Sequence, residues 1–302
     1  MKRRFVTLDV FTRTKCAGNP LAVVLDAEGL DTDEMQAIAR EFNLSETVFL
    51  LPPADPGHSA VLRIFTPRAE LPFAGHPTVG AAVQLAADKY GAPSQAQDAI
   101  LVLDEAIGPV RVGVRLAPDE PAFAEFDLPK LPEAQGAPPS TDSLCAALGL
   151  THGEIGFENH KPSQWSAGLP FVFVPLRDLQ TVRKAEVNLA AWKDSFAGHP
   201  AELFVYCRET EHRDNHFHAR MFAPTAGILE DPATGSAAAA FAGVIRHFDS
   251  LPDGTHVYRV EQGFEMGRPS ILNIEISLGN NEMHSARIGG HAVFVSEGHI
   301  EI

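Results

Sequence analysis

The chain has 302 residues, of which 45% are hydrophobic and 21% charged, with a formal net charge of −15. That length supports a sizeable core and two domains, and the composition is that of a globular protein. The acidic balance excludes nucleic acid and anionic membrane surfaces as natural partners, while leaving a locally positive small-molecule site open.

The start of the chain, Met1–Val10, mixes charged and apolar residues and reads as a first strand rather than a signal peptide. No window approaches the length of a membrane span. The three cysteines, Cys16, Cys145 and Cys207, are scattered and odd in number. They indicate neither a disulfide framework nor a zinc knuckle, and their pattern suits a reducing cytoplasm.

In chain order, strands are expected at 5–11 and 21–25, flanking the loop Cys16–Pro20. Thr32 is expected to cap an amphipathic helix to about Phe42, with Met35, Ile38, Ala39 and Phe42 on one stripe. Strands follow at 46–51 and 60–66, then a hairpin formed by 100–103 and 110–116 around Gly108-Pro109. The proline- and acid-rich stretch 118–139 reads as a linker or crossover. A helix near 141–148 precedes strands at 171–175, 203–207 and 217–222, and strands at 257–261, 271–277 and 285–295 close the chain. The expected division is an N-terminal domain, 1–117, and a C-terminal domain, 118–290. The last strand, about 291–302, packs back on the first domain.

One device occurs twice. Arg63-Ile-Phe-Thr-Pro67 leads through Glu70 into Ala74-Gly75-His76-Pro77, and Arg220-Met-Phe-Ala-Pro224 leads through Glu230 and Asp231 into Thr234-Gly235-Ser236. Each reads as a strand stopped by proline, an acidic turn, then glycine at the mouth of a helix. The repetition implies two related halves. The following runs, 79–87 and 237–245, are apolar on nearly every face, so both helices are expected to be buried all round, each within a curled sheet.

The first amides of a helix lack intrahelical partners and favour negative charge, and Gly75 and Gly235 remove the Cβ that would keep a ligand away. Gly, Ser and Pro are also ordinary helix starters, so plain capping by His76 and Ser236 is the competing reading. Asp231, held beside its turn by Pro232, suits either a substrate amino group or an Asx-type turn. Glu46 heads an apolar strand, which fits a carboxyl with raised pKa or a solvated strand end. His216 and His218, with His212 nearby, have metal-like spacing but read as a solvated face, since no carboxylate or thiolate set accompanies them. No phosphate-binding glycine motif or Walker-type lysine supports a nucleotide cofactor. Cys16 lacks an evident base.

Five blocks carry a resemblance: Gly18–Val24, Ser45–Phe49, Pro72–Thr78, Glu230–Ser236 and Gln262–Ser270. Together they resemble the PhzF family of phenazine-biosynthesis-like isomerases. The resemblance implies an α+β, diaminopimelate epimerase-like fold: two similar domains, each a curved mixed sheet around a central helix, with the active site in the cleft between them. It implies that Glu46 is the acid/base, that His76 and Asp231 assist, and that Gly75, Gly235 and Ser236 bind the substrate carboxylate. It further implies a homodimer and chemistry without metal or organic cofactor. Related epimerases and racemases of this fold place a cysteine just before each helix-mouth glycine, where this chain has Ala74 and Thr234. The expectation is therefore a cofactor-independent isomerase acting on a small amino- or hydroxy-acid-like carboxylate. An epimerase or racemase of an amino-acid derivative, or a non-catalytic metabolite-binding protein, are the alternatives.

Overall fold

The structure, a computed structural model, describes residues 2–91, 93–200 and 202–302. The chain divides into two compact units, Met1–Pro129 with Ile288–Ile302, and Lys130–Arg287. The first contains β1 (Lys2–Val10), β2 (Asn19–Val24), α1 (Thr32–Phe42), β3 (Glu46–Leu51), β4 (Ala60–Phe65), β5 (Glu70–Leu71), α2 (Gly75–Tyr90), β6 (Gln97–Glu105), β7 (Gly108–Ala117) and β8 (Glu120–Asp127). The second contains β9 (Glu133–Ala134), α3 (Thr141–Leu148), β10 (Ser163–Ser166), β11 (Pro170–Pro175), α4 (Leu179–Lys184), α5 (Leu189–Ser195), β12 (Leu203–Cys207), β13 (Phe217–Ala223), β14 (Ile228–Asp231), α6 (Gly235–Phe248), β15 (Gly254–Gln262) and β16 (Ser270–Gly279). The final strand, β17 (Glu282–Glu301), begins in the second unit and from Ile288 belongs to the first.

In the first unit β1 lies between β2 and β17. The ladder continues parallel from β2 to β3, antiparallel to β4, parallel to β6, and antiparallel through β7 to β8. Strand β8 pairs in turn with β17, so the sheet closes on itself. The helix α2 fills the interior, and its first twelve residues bear no exposed position. Close packing there needs glycine: a Cβ on Gly80 would sit 2.4 Å from Leu21 Cδ2. On the outer face α1 buries Met35, Ile38 and Ala39 against Val24, Phe49 and Phe65. Asp31, rather than Thr32, caps α1, because its carboxylate accepts from the Glu34 amide while Glu34 returns to the Asp31 amide as a capping box.

The second unit repeats the order. Strand β11 runs parallel to β12, β12 antiparallel to β13, β13 parallel to β15, and β15 antiparallel to β16. The buried α6 lies against Phe173, Phe204, Tyr206 and Phe217 through Phe241. A Cβ on Gly243 would sit 2.6 Å from the Trp165 ring. Helices α3, α4 and α5 cover the other face through Leu144, Leu148, Val182, Trp192 and Phe196.

Three expectations need correction. The stretch after Pro118 is no linker at its start: Glu120–Asp127 forms β8, paired along β7 in the first unit, because alternate residues Ala124 and Phe126 are fully buried. Gly108 and Pro109 open β7 instead of forming the turn, which lies at Ala106-Ile107. The last strand, expected from 285 and continuing into 298–302, does run on to Glu301 but starts at 282, entered by the two-residue turn Asn280-Asn281 with φ of 53° and 61°. Among the described residues no helix is long and apolar enough to cross a membrane.

Candidate active site

The two proline-stopped strands present the same ion pair. Arg63 Nε and Nη2 donate to Glu70 Oε1 and Oε2 at 2.7 and 2.6 Å. Arg220 repeats this bidentate pairing with Glu230 at 2.8 and 2.9 Å. Each pair pins the short strand that returns the chain to a helix mouth.

At the first mouth α2 begins at Gly75, with no side-chain cap from Ala74 and no acidic residue in its first turn. The capping reading of His76 is not what its ring does: His76 Nε2 lies 3.5 Å from Glu46 Oε2, both side chains being almost wholly buried. Nε2 makes no hydrogen bond among the described residues. Burial drives the His76 pKa down to about 3, so the imidazole is neutral. Glu46 is positioned by β3, whose next residue, Thr47, is fully buried and faces Phe65. A third ionisable group lies behind this mouth. The Thr78 hydroxyl is 2.7 Å from Glu105 Oε1 and 2.8 Å from the Ala74 carbonyl oxygen. Glu105 is buried, and that burial raises its pKa to about 8 against the lowering effect of Thr78.

At the second mouth α6 begins at Gly235, again without a side-chain cap and without an acid in the first turn. The Thr234 hydroxyl is directed instead at Asp231 Oδ2, 2.5 Å away. Gln262 clamps this turn: its amide nitrogen donates to the Asp231 carbonyl and to Thr234 Oγ1, and its oxygen accepts from the Thr234 amide. Gln262 ends β15 as Glu105 ends β6, so the same strand end serves both turns. Asp231 is thus tied to its own loop, as an Asx-type reading predicts, and the residue is only 6% exposed. Ser236 is half-buried at the second helical position.

The structure brings Glu46, His76 and Gly75 together in the first unit, and Asp231, Gly235 and Ser236 together in the second. Glu105 escaped sequence reading, and Thr78 and Gln262 stood in the resembling blocks without a role. Their one signal is that Glu105 and Gln262 are polar residues closing strands that otherwise alternate toward the core. His218 corrects an expectation as well, while His212 and His216 are exposed as expected. His218 is fully buried, with Nδ1 2.9 Å from Glu261 and Nε2 2.9 Å from Glu265, so it faces no solvent and has two carboxylates. Glu261 also accepts from the amides of Glu211 and His212 and from Asn215. This is an ion network that ties a surface loop to β13 and β15, and among the described residues no cluster of His, Cys, Asp and Glu is arranged to hold a metal ion.

A two-unit α+β fold with a buried helix in each sheet, opening on uncapped mouths, defines the diaminopimelate epimerase-like class. Two solved structures at 11% identity, a hydroxyproline epimerase from Agrobacterium vitis (TM-score 0.65, covering 99% of this chain and 92% of that one) and a probable proline racemase from Agrobacterium radiobacter (TM-score 0.63, 99% and 93%), share that fold. Residues 8–298 match the PhzC-PhzF family, described as phenazine biosynthesis-like protein. The chain belongs to this family, and its enzymatic class is isomerase. It is 52% identical to an uncharacterized isomerase from Mesorhizobium japonicum, covering 99% of each chain. It is 32% identical to the trans-2,3-dihydro-3-hydroxyanthranilate isomerase of Pseudomonas aeruginosa, covering 98% of each. A PhzF-family protein from Bacillus anthracis superposes with a TM-score of 0.88 at 26% identity, covering 100% of both chains.

Proposed function

We propose that the chain moves a proton on a small carboxylate-bearing substrate of the amino- or hydroxy-acid kind, with Glu46 as acid/base. The observation that carries this reading is the approach of Glu46 to the buried His76 at 3.5 Å, beside the uncapped start of α2. A carboxylate removed from bulk water is a stronger base than one in solvent, and a neutral imidazole next to it relays or stabilises the proton it gains. The free amides at Gly75 offer fixed positive partial charge to an enolate-like oxygen as the C–H bond breaks. Asp231, Gly235 and Ser236 take the part of substrate binding, with the α6 amides suited to a carboxylate and Asp231 to an amino group.

The Pseudomonas aeruginosa relative is named for a substrate that is an amino- and hydroxy-substituted carboxylate, which fits this donor set and supplies the first compound to try. The residues at the two helix mouths are Ala74 and Thr234, and the free cysteines lie elsewhere, so thiol bases have no place in this chemistry.

Glu46→Gln keeps the shape of the side chain and removes the base. Turnover of trans-2,3-dihydro-3-hydroxyanthranilate by the wild type is expected to fall by ~10²–10⁴-fold in this variant, the usual worth of one positioned acid/base. Its thermal midpoint stays close to the wild type's. Near-normal activity in Glu46→Gln would sink the proposal.

A further inference from the structure

The strand ends behind the two helix mouths occupy equivalent places. Val61 of β4 and His218 of β13 each stand two residues before the arginine of a bidentate pair. Across the parallel ladders Val61 faces Asp104, and His218 faces Glu261. The next residues, Glu105 and Gln262, are therefore counterparts, and each is buried where its strand stops. Both reach the residue that precedes a mouth glycine. Gln262 does so directly: its oxygen accepts from the Thr234 amide at 3.1 Å, and its nitrogen donates to Thr234 Oγ1 at 3.0 Å and to the Asp231 carbonyl at 2.8 Å. Glu105 does so through Thr78, whose hydroxyl lies 2.7 Å from Glu105 Oε1 and 2.8 Å from the Ala74 carbonyl oxygen.

Peptide geometry gives these contacts their consequence. The Ala74 carbonyl and the Gly75 N–H belong to one planar trans peptide unit and point in opposite directions. A carbonyl held down on Thr78, inside the helix, aims the Gly75 amide out of the mouth, where an oxygen gaining charge would meet it. In the second unit Gln262 donates to Thr234 Oγ1, so the one hydroxyl hydrogen of Thr234 is left for Asp231 Oδ2, 2.5 Å away. Asp231 is thereby held in one orientation as an acceptor. The same count at Thr78 sends its hydrogen to the Ala74 carbonyl and requires Glu105 to donate, as Gln262 does. A protonated glutamic acid has nearly the shape of glutamine, so the two halves use one device in two chemical forms.

We propose that Glu105 and Gln262 are positioning residues, each a neutral hydrogen-bond donor that sets the aim of one helix mouth. Glu105 does this for the Gly75 amide beside Glu46 and His76, and Gln262 for Asp231 at the start of α6. The proposal rests on the reading of Glu46 as base and deepens it. Ionisation of Glu105 removes its donor: the Thr78 hydrogen turns to the carboxylate, the Ala74 carbonyl loses a partner, and the Gly75 amide loses its aim. Burial raises the Glu105 pKa to about 8, with Thr78 opposing. The strands around this interior supply apolar side chains, Leu62 and Ile64 from β4, Val110 and Val112 from β7, and Phe126 from β8. The ionisable groups at this mouth are Glu46 and the neutral His76, while Asp104, next to Glu105 in β6, is paired with His58.

Two measurements test this, and the first needs no substrate. In protein carrying ¹³Cα-labelled glycine, the Gly75 signal shifts as pH rises through about 8. Glu105→Gln abolishes that step, which assigns it to this carboxyl rather than to another that titrates nearby. Gln262→Met leaves the step in place and displaces the Gly235 signal. The second measurement is turnover of trans-2,3-dihydro-3-hydroxyanthranilate. Glu105→Leu lowers kcat by ~10–10²-fold with little change in KM. Glu105→Gln recovers most of that loss and extends activity to higher pH, whereas Gln262→Met raises KM by about tenfold. A merely structural role would reduce the amount of folded enzyme without separating kcat from KM. A Gly75 step that survives Glu105→Gln overturns the proposal, as does a Glu105→Gln variant as slow as Glu105→Leu. A Gln262→Met variant with unchanged KM and an undisplaced Gly235 signal overturns it for the second mouth. If Glu105→Leu fails to fold, the pH profiles of the wild type and Glu105→Gln decide. An active Glu46→Gln, or no turnover of this compound by the wild type, counts against the reading beneath the proposal, and the Gly75 signal still decides whether Glu105 holds the mouth.

Discussion

Thr78 stands between Glu105 and the Ala74 carbonyl, 2.7 Å from one and 2.8 Å from the other, with a single hydroxyl hydrogen to give. A carbonyl only accepts. If Glu105 were ionised, both neighbours would be acceptors and one contact would go unmade. A protonated Glu105 donates to Thr78, which donates to Ala74, and every hydrogen has a place. Glu105 Oε2, buried and without a hydrogen-bond partner among the described residues, is tolerable as a neutral carboxyl's carbonyl oxygen and costly as part of a carboxylate. Gln262, at the equivalent strand end, is a permanent neutral donor.

Glu105→Gln therefore keeps the donor and is expected to change stability by less than about 1 kcal/mol, whereas Glu105→Ala costs about 1–3 kcal/mol by stranding Thr78. The pH dependence separates them from the wild type. Because the folded pKa is raised from 4.5 to about 8, the folded state holds more protons than the unfolded chain between those values. The contribution of Glu105 is complete below its ordinary pKa and lost as pH rises through about 8. Urea unfolding across this window should show that fall in the wild type and a shallower one in Glu105→Gln. Equal slopes would contradict the protonated state.

His218 titrates in the same direction for the opposite reason. Burial works to lower its pKa, but hydrogen bonds and charge from Glu261 and Glu265 outweigh burial and raise it to about 9. Its stabilisation is full below its ordinary value of 6.5 and is lost as pH climbs through about 9. His218→Leu leaves two buried carboxylates without their counter-charge and should cost about 3–5 kcal/mol at pH 6. The difference from wild type should shrink by pH 10 in chemical denaturation. A constant difference would argue against the ion network.

The two bidentate pairs differ in burial and should differ in worth. Arg220 and Glu230 side chains are 10% and 15% exposed, and Arg220 Nη1 also donates to the Val182 and Ala185 carbonyls that end α4. Arg63 and Glu70 are 25% and 36% exposed. Arg220→Met is expected to cost about 3–5 kcal/mol, and Arg63→Met about 1 kcal/mol. Equal losses in equilibrium unfolding would show that burial does not set the balance.

Gly80→Ala gains about 1 kcal/mol of helix propensity, but its Cβ meets Leu21 Cδ2 at 2.4 Å and Val10 Cγ2 at 3.0 Å. Overpacking costs about 1–3 kcal/mol, so the variant should be less stable than wild type. Trimming the partner in Gly80→Ala/Leu21→Ala should lose less than the two single losses combined, since the new methyl occupies part of the space Leu21 vacates. A strictly additive double variant would place the clash elsewhere.

Much of the architecture was legible in one dimension. Proline after a strand, glycine before an apolar helix and the repetition of both announced two related halves, because φ restriction, helix starts and all-round burial are local constraints. Strand β8 was missed because Pro121 and the acids Glu120, Glu125 and Asp127 stand among its residues, and only pairing with β7 shows what its buried alternate residues do. Glu46 was legible through its motif, but its approach to His76 depends on β3 lying beside the start of α2. Gln262 only heads a resembling block, with no role legible there, and Glu105 carries no motif at all.

Local constraints along the chain were enough to define two halves, each with a buried helix opening at a glycine, and no thiol before either glycine. Which carboxyls keep their protons emerges only once the chain is folded. Protonation depends on desolvation and on the direction of each hydrogen bond, and both are set by residues that lie far apart in the chain: Thr78 with Glu105, and Thr234 with Gln262.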